Sequence, residues 1–113
     1  MKVFAVVTMG GEGELRAFKT AAEALAAAKS EDGYALERPP TSMDSFATGD
    51  PVGFAVPGDP STVWLVLCGD RGCTNGYAGA FADEAAAEAL ATRLGKKDSL
   101  GLSYWTLKTE VSG

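Results

Sequence analysis

Thr62–Leu94, TVWLVLCGDRGCTNGYAGAFADEAAAEALATRL, sets the pattern by which the rest of the chain can be read. Val63 to Leu67 is an apolar, partly β-branched run of strand length, so it reads as a strand covered on at least one face. Gly69-Asp70-Arg71-Gly72 and Thr74-Asn75-Gly76 supply turn residues, and Tyr77 to Phe81 makes the returning strand. Asp83 then stands where a helix N-cap belongs, with Glu84 placing negative charge in the first turn. Ala87, Leu90, Ala91 and Leu94 fall at i, i+3, i+4 and i+7, a single buried stripe. Gly95 is the expected residue just past the helix, followed by Lys96-Lys97 at its negative end. Leu102 to Val111 forms the last strand and carries Tyr104 and Trp105.

Working outward, the N-terminal segment Val3–Ala28, VFAVVTMGGEGELRAFKTAAEALAAA, repeats the plan more faintly. Val3 to Thr8 is a strand, Gly10-Gly11-Glu12-Gly13 a hairpin turn, and Leu15 to Phe18 the return. Thr20 with Glu23 three residues later forms a capping box. The helix Ala21–Lys29 has Ala at six of nine positions, a smooth face that lets the helix approach a sheet closely while burying little area. Tyr34 to Glu37 is a short third strand, ended by Pro39-Pro40. Between the halves, 39–51 lacks any period and reads as a surface loop. Val52 to Val56 is expected to pair with Val63 to Leu67 across the turn Pro57–Ser61. The resulting fold class is α+β: an antiparallel sheet of six or seven strands with two alanine-rich helices on one face, in pseudo-duplicated ββαβ units. We expect one domain over 1–113, its repeat-like halves 1–38 and 62–111 joined by 39–61.

Bulk composition is that of a folded domain: 46% hydrophobic and 22% charged residues over 113 positions. Ten basic against fifteen acidic residues leave a net charge of −5. Such a chain repels phosphate, and Lys96-Lys97 is its longest basic run, so direct nucleic-acid binding is disfavoured. The apolar stretch Val3–Val7 is too short for a membrane span or a signal-peptide core, so no membrane association is expected and the cytoplasm is the expected compartment. There Cys68 and Cys73 would stay reduced.

The chain contains no histidine, which removes the commonest general base and the commonest metal ligand. Two cysteines without histidine fall short of a zinc site, so structural thiols are the preferred reading of Cys68 and Cys73. Gly10-Gly11-Glu12-Gly13 is followed by a strand, lacks a lysine, and carries acids that would repel an anion; it is a turn and not a phosphate loop. Asp70 with Thr74 and Asn75 matches no calcium-loop spacing. We therefore expect no catalytic residues, no cofactor and no metal.

Strand alternation splits Trp64 from Val63 and Leu65, and Tyr104 from Trp105, between two faces. If the helices cover the Val63 set, then Trp64 and Val66 lie on an open back face. On that basis the candidate interaction surface comprises Trp64, Val66, Tyr104, Trp105, Asp70, Arg71, Glu12, Asp44 and Phe46. The expected function is a small, acidic, non-catalytic protein-interaction module. Its protein partner would engage the open face or an edge strand, with a homodimer through the same surface as one form. In size and charge the chain resembles in style the inhibitors that phages make against bacterial defence systems; no motif carries that likeness. The alternative is a small-ligand domain with a pocket under the 39–51 loop.

Overall fold

The structure, a computed structural model, describes residues 1–8, 14–39, 51–70 and 73–112, apart from the side chains of Asp70, Cys73 and Asn75. In chain order the elements are β1 (Lys2–Thr8), β2 (Glu14–Phe18), α1 (Ala21–Ser30), β3 (Tyr34–Ala35), β4 (Gly53–Ala55), β5 (Thr62–Asp70), β6 (Cys73–Phe81), α2 (Glu84–Lys97) and β7 (Ser103–Ser112). The helix starts follow from local chemistry. The Thr20 hydroxyl accepts from Glu23 N at 3.2 Å, and the Asp83 carboxylate accepts from Ala85 N and Ala86 N, each at 3.3 Å. The helix end read at Gly95 lies further on: α2 continues through Gly95 to Lys97 and ends at Asp98. Its Oδ2 accepts from Leu102 N at 2.8 Å, and Gly101 takes φ +78° to turn the chain into β7.

The strands form one sheet in the order β3-β1-β2-β7-β5-β6, with β4 also paired to β1. Two expectations are corrected. The sheet is mixed and not purely antiparallel, because β2 and β7 run parallel where Ala17 meets Val111 and Phe18 meets Ser112. The β4 segment pairs with β1, at Lys2, Val3 and Phe4, and not with β5. Both edges of β5 are taken, by β6 and by an eight-pair ladder with β7. Hydrogen bonds between Met1 and Val56, 2.9 Å from Met1 N and 2.7 Å from Val56 N, extend the β1·β4 pairing. Strand order is β3-β1-β2 in one part and β7-β5-β6 in the other, although β3 has two residues and β7 ten.

Curling brings the far ends of this path together. Register shifts between Val66 and Leu67 and between Cys68 and Gly69 sharpen the twist of the β5–β6 hairpin. Tyr77 then stitches β6 to the other end: its N donates to Glu37 O at 2.7 Å and its hydroxyl to Val3 O at 2.8 Å. Tyr34 Oη donates to Thr74 O at 2.9 Å alongside. Inside the curl lies the main core, where Val3, Ala5 and Ala17 meet Leu36, Val56, Val63, Leu65, Leu67, Tyr77 and Ala80.

The alternate side chains of the same strands carry the helices. Ala24 and Ala28 of α1 pack on Val6 and Phe18, and Ala87 and Ala91 of α2 pack on Val66 with Trp64, Phe81 and Tyr104 beside it. Alanine on the helices and glycine on the sheet make this approach close. At Gly79 an added Cβ would stand 3.0 Å from Leu90 Cδ2. Arg16 pins the end of α1 to β2 through a two-pronged contact with Glu31, at 3.0 and 2.9 Å. No described helix is long and apolar enough to cross a membrane.

Candidate functional site

The outward margin of β7 is built by its neighbours. Val111 N donates to Ser61 O at 2.9 Å, so Val111 turns its polar backbone groups toward β5. In an antiparallel ladder this orientation alternates, which aims the N–H and C=O of Tyr104, Thr106 and Lys108 away from β5. On that far side β7 is paired to β2 at Val111 and Ser112. Among the described residues, no strand pairs with the stretch Ser103–Thr109 there. The two parallel strands thus meet at their C-terminal ends, and β7 runs on beyond the start of β2.

Side chains along this margin divide between the two layers. Trp105 stands opposite Leu67 and Leu107 opposite Leu65, so both belong to the inner layer. Leu65 is 0% exposed, yet Leu107 is 40% exposed: the inner layer is uncovered at β7. Trp105 is half-buried against the main core. Tyr104, Thr106 and Lys108 stand opposite Cys68, Val66 and Trp64 on the helix side, where Lys108 Nζ lies 6.0 Å from the centre of the Trp64 ring. From Ser103 to Leu107 the sequence SYWTL has no charge and no proline. Those are the devices that ordinarily blunt an exposed strand margin.

The nominated residues separate accordingly. Trp64, Val66 and Tyr104 come together, but under α2, because the helices cover the Trp64 set and the Val63 set fills the curl. The open back face drawn from the opposite assignment is corrected on this point. Val66 is 0% exposed beneath Ala87 and Ala91, and nothing can dock on it without moving α2. Trp105 lies on the other face from these three. Asp70 ends β5 with its backbone opposite Cys73, and its side chain lies outside the described residues. Arg71, Glu12, Asp44 and Phe46 also lie outside them, as does the 40–50 part of the loop assigned to a ligand pocket. Thr106, Leu107 and Lys108 are not singled out by the sequence reading; the uncharged run Ser103–Leu107 inside a long final strand is the signal for the first two.

Chemistry elsewhere is muted. Cys68 is 0% exposed, and burial, reinforced by Asp98, pushes its pKa up to about 11, so it is a neutral thiol at physiological pH. Tyr104 is likewise raised, first by burial and then by Cys68 and Asp98. The negative charge of Asp98 thus disfavours the thiolate and the phenolate and activates neither as a nucleophile. Among the described residues no group of three or more His, Cys, Asp or Glu is placed to hold a metal ion. An open depression along the outward side of α2, lined by Ala85, Glu88, Ala89, Thr92, Arg93 and Lys96, is walled by one helix alone. Ligand pockets are enclosed on more than one side. Comparison with protein-family models, with curated proteins and with solved structures gave no match.

Proposed function

We propose that the protein is a small, acidic, non-catalytic interaction module that engages another polypeptide by strand addition along β7. The observation that carries this reading is the margin itself: outward N–H and C=O groups at Tyr104, Thr106 and Lys108, beside a Leu107 that is 40% exposed. A polypeptide laid along this margin would gain backbone hydrogen bonds and cover the open end of the inner layer, as in β-augmentation generally. An inhibitor of a larger protein machine is one form such a module takes. On our reading the two ββαβ parts are copies of one plan, and the second supplies the contact strand.

The test is association of the labelled chain, first in buffer and then in a cell lysate, for the parent and for Thr106→Pro. Thr106 N–H points away from β5, so proline there removes a margin donor and leaves the β5 ladder intact. The parent should form a complex, with itself or with another protein, that the variant loses while keeping its circular dichroism. A parent that stays a lone monomer in both media, or a variant that associates equally well, would overturn the reading.

A further inference from the structure

We infer that the strand added to β7 is the β7 of a second copy, in an antiparallel pair about a two-fold axis at Trp105; this rests on the reading of the β7 margin just given. The first argument concerns which residues would meet. A two-fold at Trp105 sets Tyr104 opposite Thr106 of the second copy, Ser103 opposite Leu107, and Trp105 opposite itself. Tyr104 and Thr106 both aim their backbone groups outward, so these pairs would exchange about four hydrogen bonds in all. Trp105 then occupies a non-hydrogen-bonded position, where facing side chains come closest and aromatic pairs contribute most.

The second argument concerns charge. A chain of net charge −5 meeting its own copy faces general repulsion, so a self-pairing margin must keep like charges apart. Ser103–Leu107 is uncharged, and the nearest charged position, Lys108, falls opposite Leu102 and not opposite its own equivalent. The third argument concerns length. The pairing uses 103–107 alone and leaves the β2 contacts at Val111 and Ser112 in place. It also turns the exposed Leu107 of each copy toward the other chain. An isologous margin of this kind closes after two copies and does not propagate.

Five residues a side is a small interface, at the weak end of specific contacts, so the dimer is expected at roughly 100 µM chain and dissociates on dilution. Sedimentation equilibrium in buffer should show a monomer–dimer transition for the parent and monomer alone for Thr106→Pro and for Leu107→Lys. The second variant alters an exposed side chain and guards against a failure of the first to fold; circular dichroism and the urea midpoint report folding for both. The facing indoles give an independent signal: an exciton couplet in the far-ultraviolet dichroism that grows with concentration and vanishes in Trp105→Phe. A parent that remains monomeric at that concentration overturns the inference. So does a dimer that survives both margin variants or shows no couplet. If the parent is monomeric in buffer yet forms a complex in lysate that Thr106→Pro abolishes, the second copy is refuted and the interaction reading stands.

Discussion

Replacing Tyr77 by Phe removes one oxygen atom from the centre of the molecule and tests how the curl is held. The Tyr77 side chain is 0% exposed, and its hydroxyl donates to Val3 O at 2.8 Å, across 74 positions of chain. Val3 is itself 0% exposed, so water cannot replace the lost donor. A buried hydrogen bond contributes about 1 kcal/mol net, and leaving a partner unsatisfied raises the loss toward 3 kcal/mol, so we expect about 2 kcal/mol. For a domain of this size that corresponds to a fall in Tm of roughly 6–10 °C. Urea unfolding followed by tryptophan fluorescence gives the free energy, with an unchanged m-value showing that the same surface is exposed. Tyr34→Phe is the internal control. Its hydroxyl bond to Thr74 O has nearly the same length, 2.9 Å, but the side chain is 43% exposed, so water can take over and the loss should stay below about 1 kcal/mol. Equal losses at the two positions, or a Tyr77→Phe loss under about 0.5 kcal/mol, would refute the claim that the buried stitch holds the curl closed.

Gly33→Ala should cost at least 2–3 kcal/mol, about the upper range of overpacking, because its Cβ would collide with Val7 O and stand 2.8 Å from Thr8 Cα, forcing β3 off β1. Gly95→Ala should instead raise stability by about 0.5–1 kcal/mol, since the position is helical and nothing lies within 4 Å of the added carbon; urea midpoints check both. Asp83→Ala removes the acceptor for two helix-start N–H groups and should cost about 1 kcal/mol in the same assay. Stability should be insensitive to these buried acids at neutral pH and fall above about pH 9. Folding raises the Cys68 pKa from 9.0 to about 11, so between those values the unfolded chain ionises first and gains. Tyr77, also raised by burial, adds to the fall beyond pH 10.0. Cys68→Ala should move the onset of the fall from about pH 9 to about pH 10 in an alkaline titration monitored by circular dichroism.

Much of the architecture was legible because local rules and tertiary contacts agree. Thr20 and Asp83 mark the helix starts, and the alternation in Val63–Leu67 separates two layers, although the sequence reading leaves one of them open and the structure covers both. Three features were not legible. The β4 partner was misread because Pro57–Ser61 has hairpin chemistry, yet β5 already spends both edges on β6 and β7; local turn residues carry no information about that competition. The parallel β2·β7 contact is invisible in sequence, since two residue pairs leave no periodic trace. The helix-facing layer of β5 was assigned backwards, because Trp64-Val66 and Val63-Leu65 are both apolar and a period of two cannot tell inside from outside. That inversion displaced the candidate surface: Val66 went under α2, and the exposed inner-layer residue proved to be Leu107.

Neither half of the chain owns the interior. Val3, Ala5 and Ala17 come from the first, Val63, Leu65 and Ala80 from the second, and the two sets pack in one core together with Val56 of the joining segment. Two seams, one made by the Tyr77 and Tyr34 bonds and the other by the Ala17–Val111 contact, hold the leaves shut. With one undone, the leaves can still swing on the other. With both undone, each is left holding half a cavity that water can enter, so melting is expected to run as one event with no half-folded resting point.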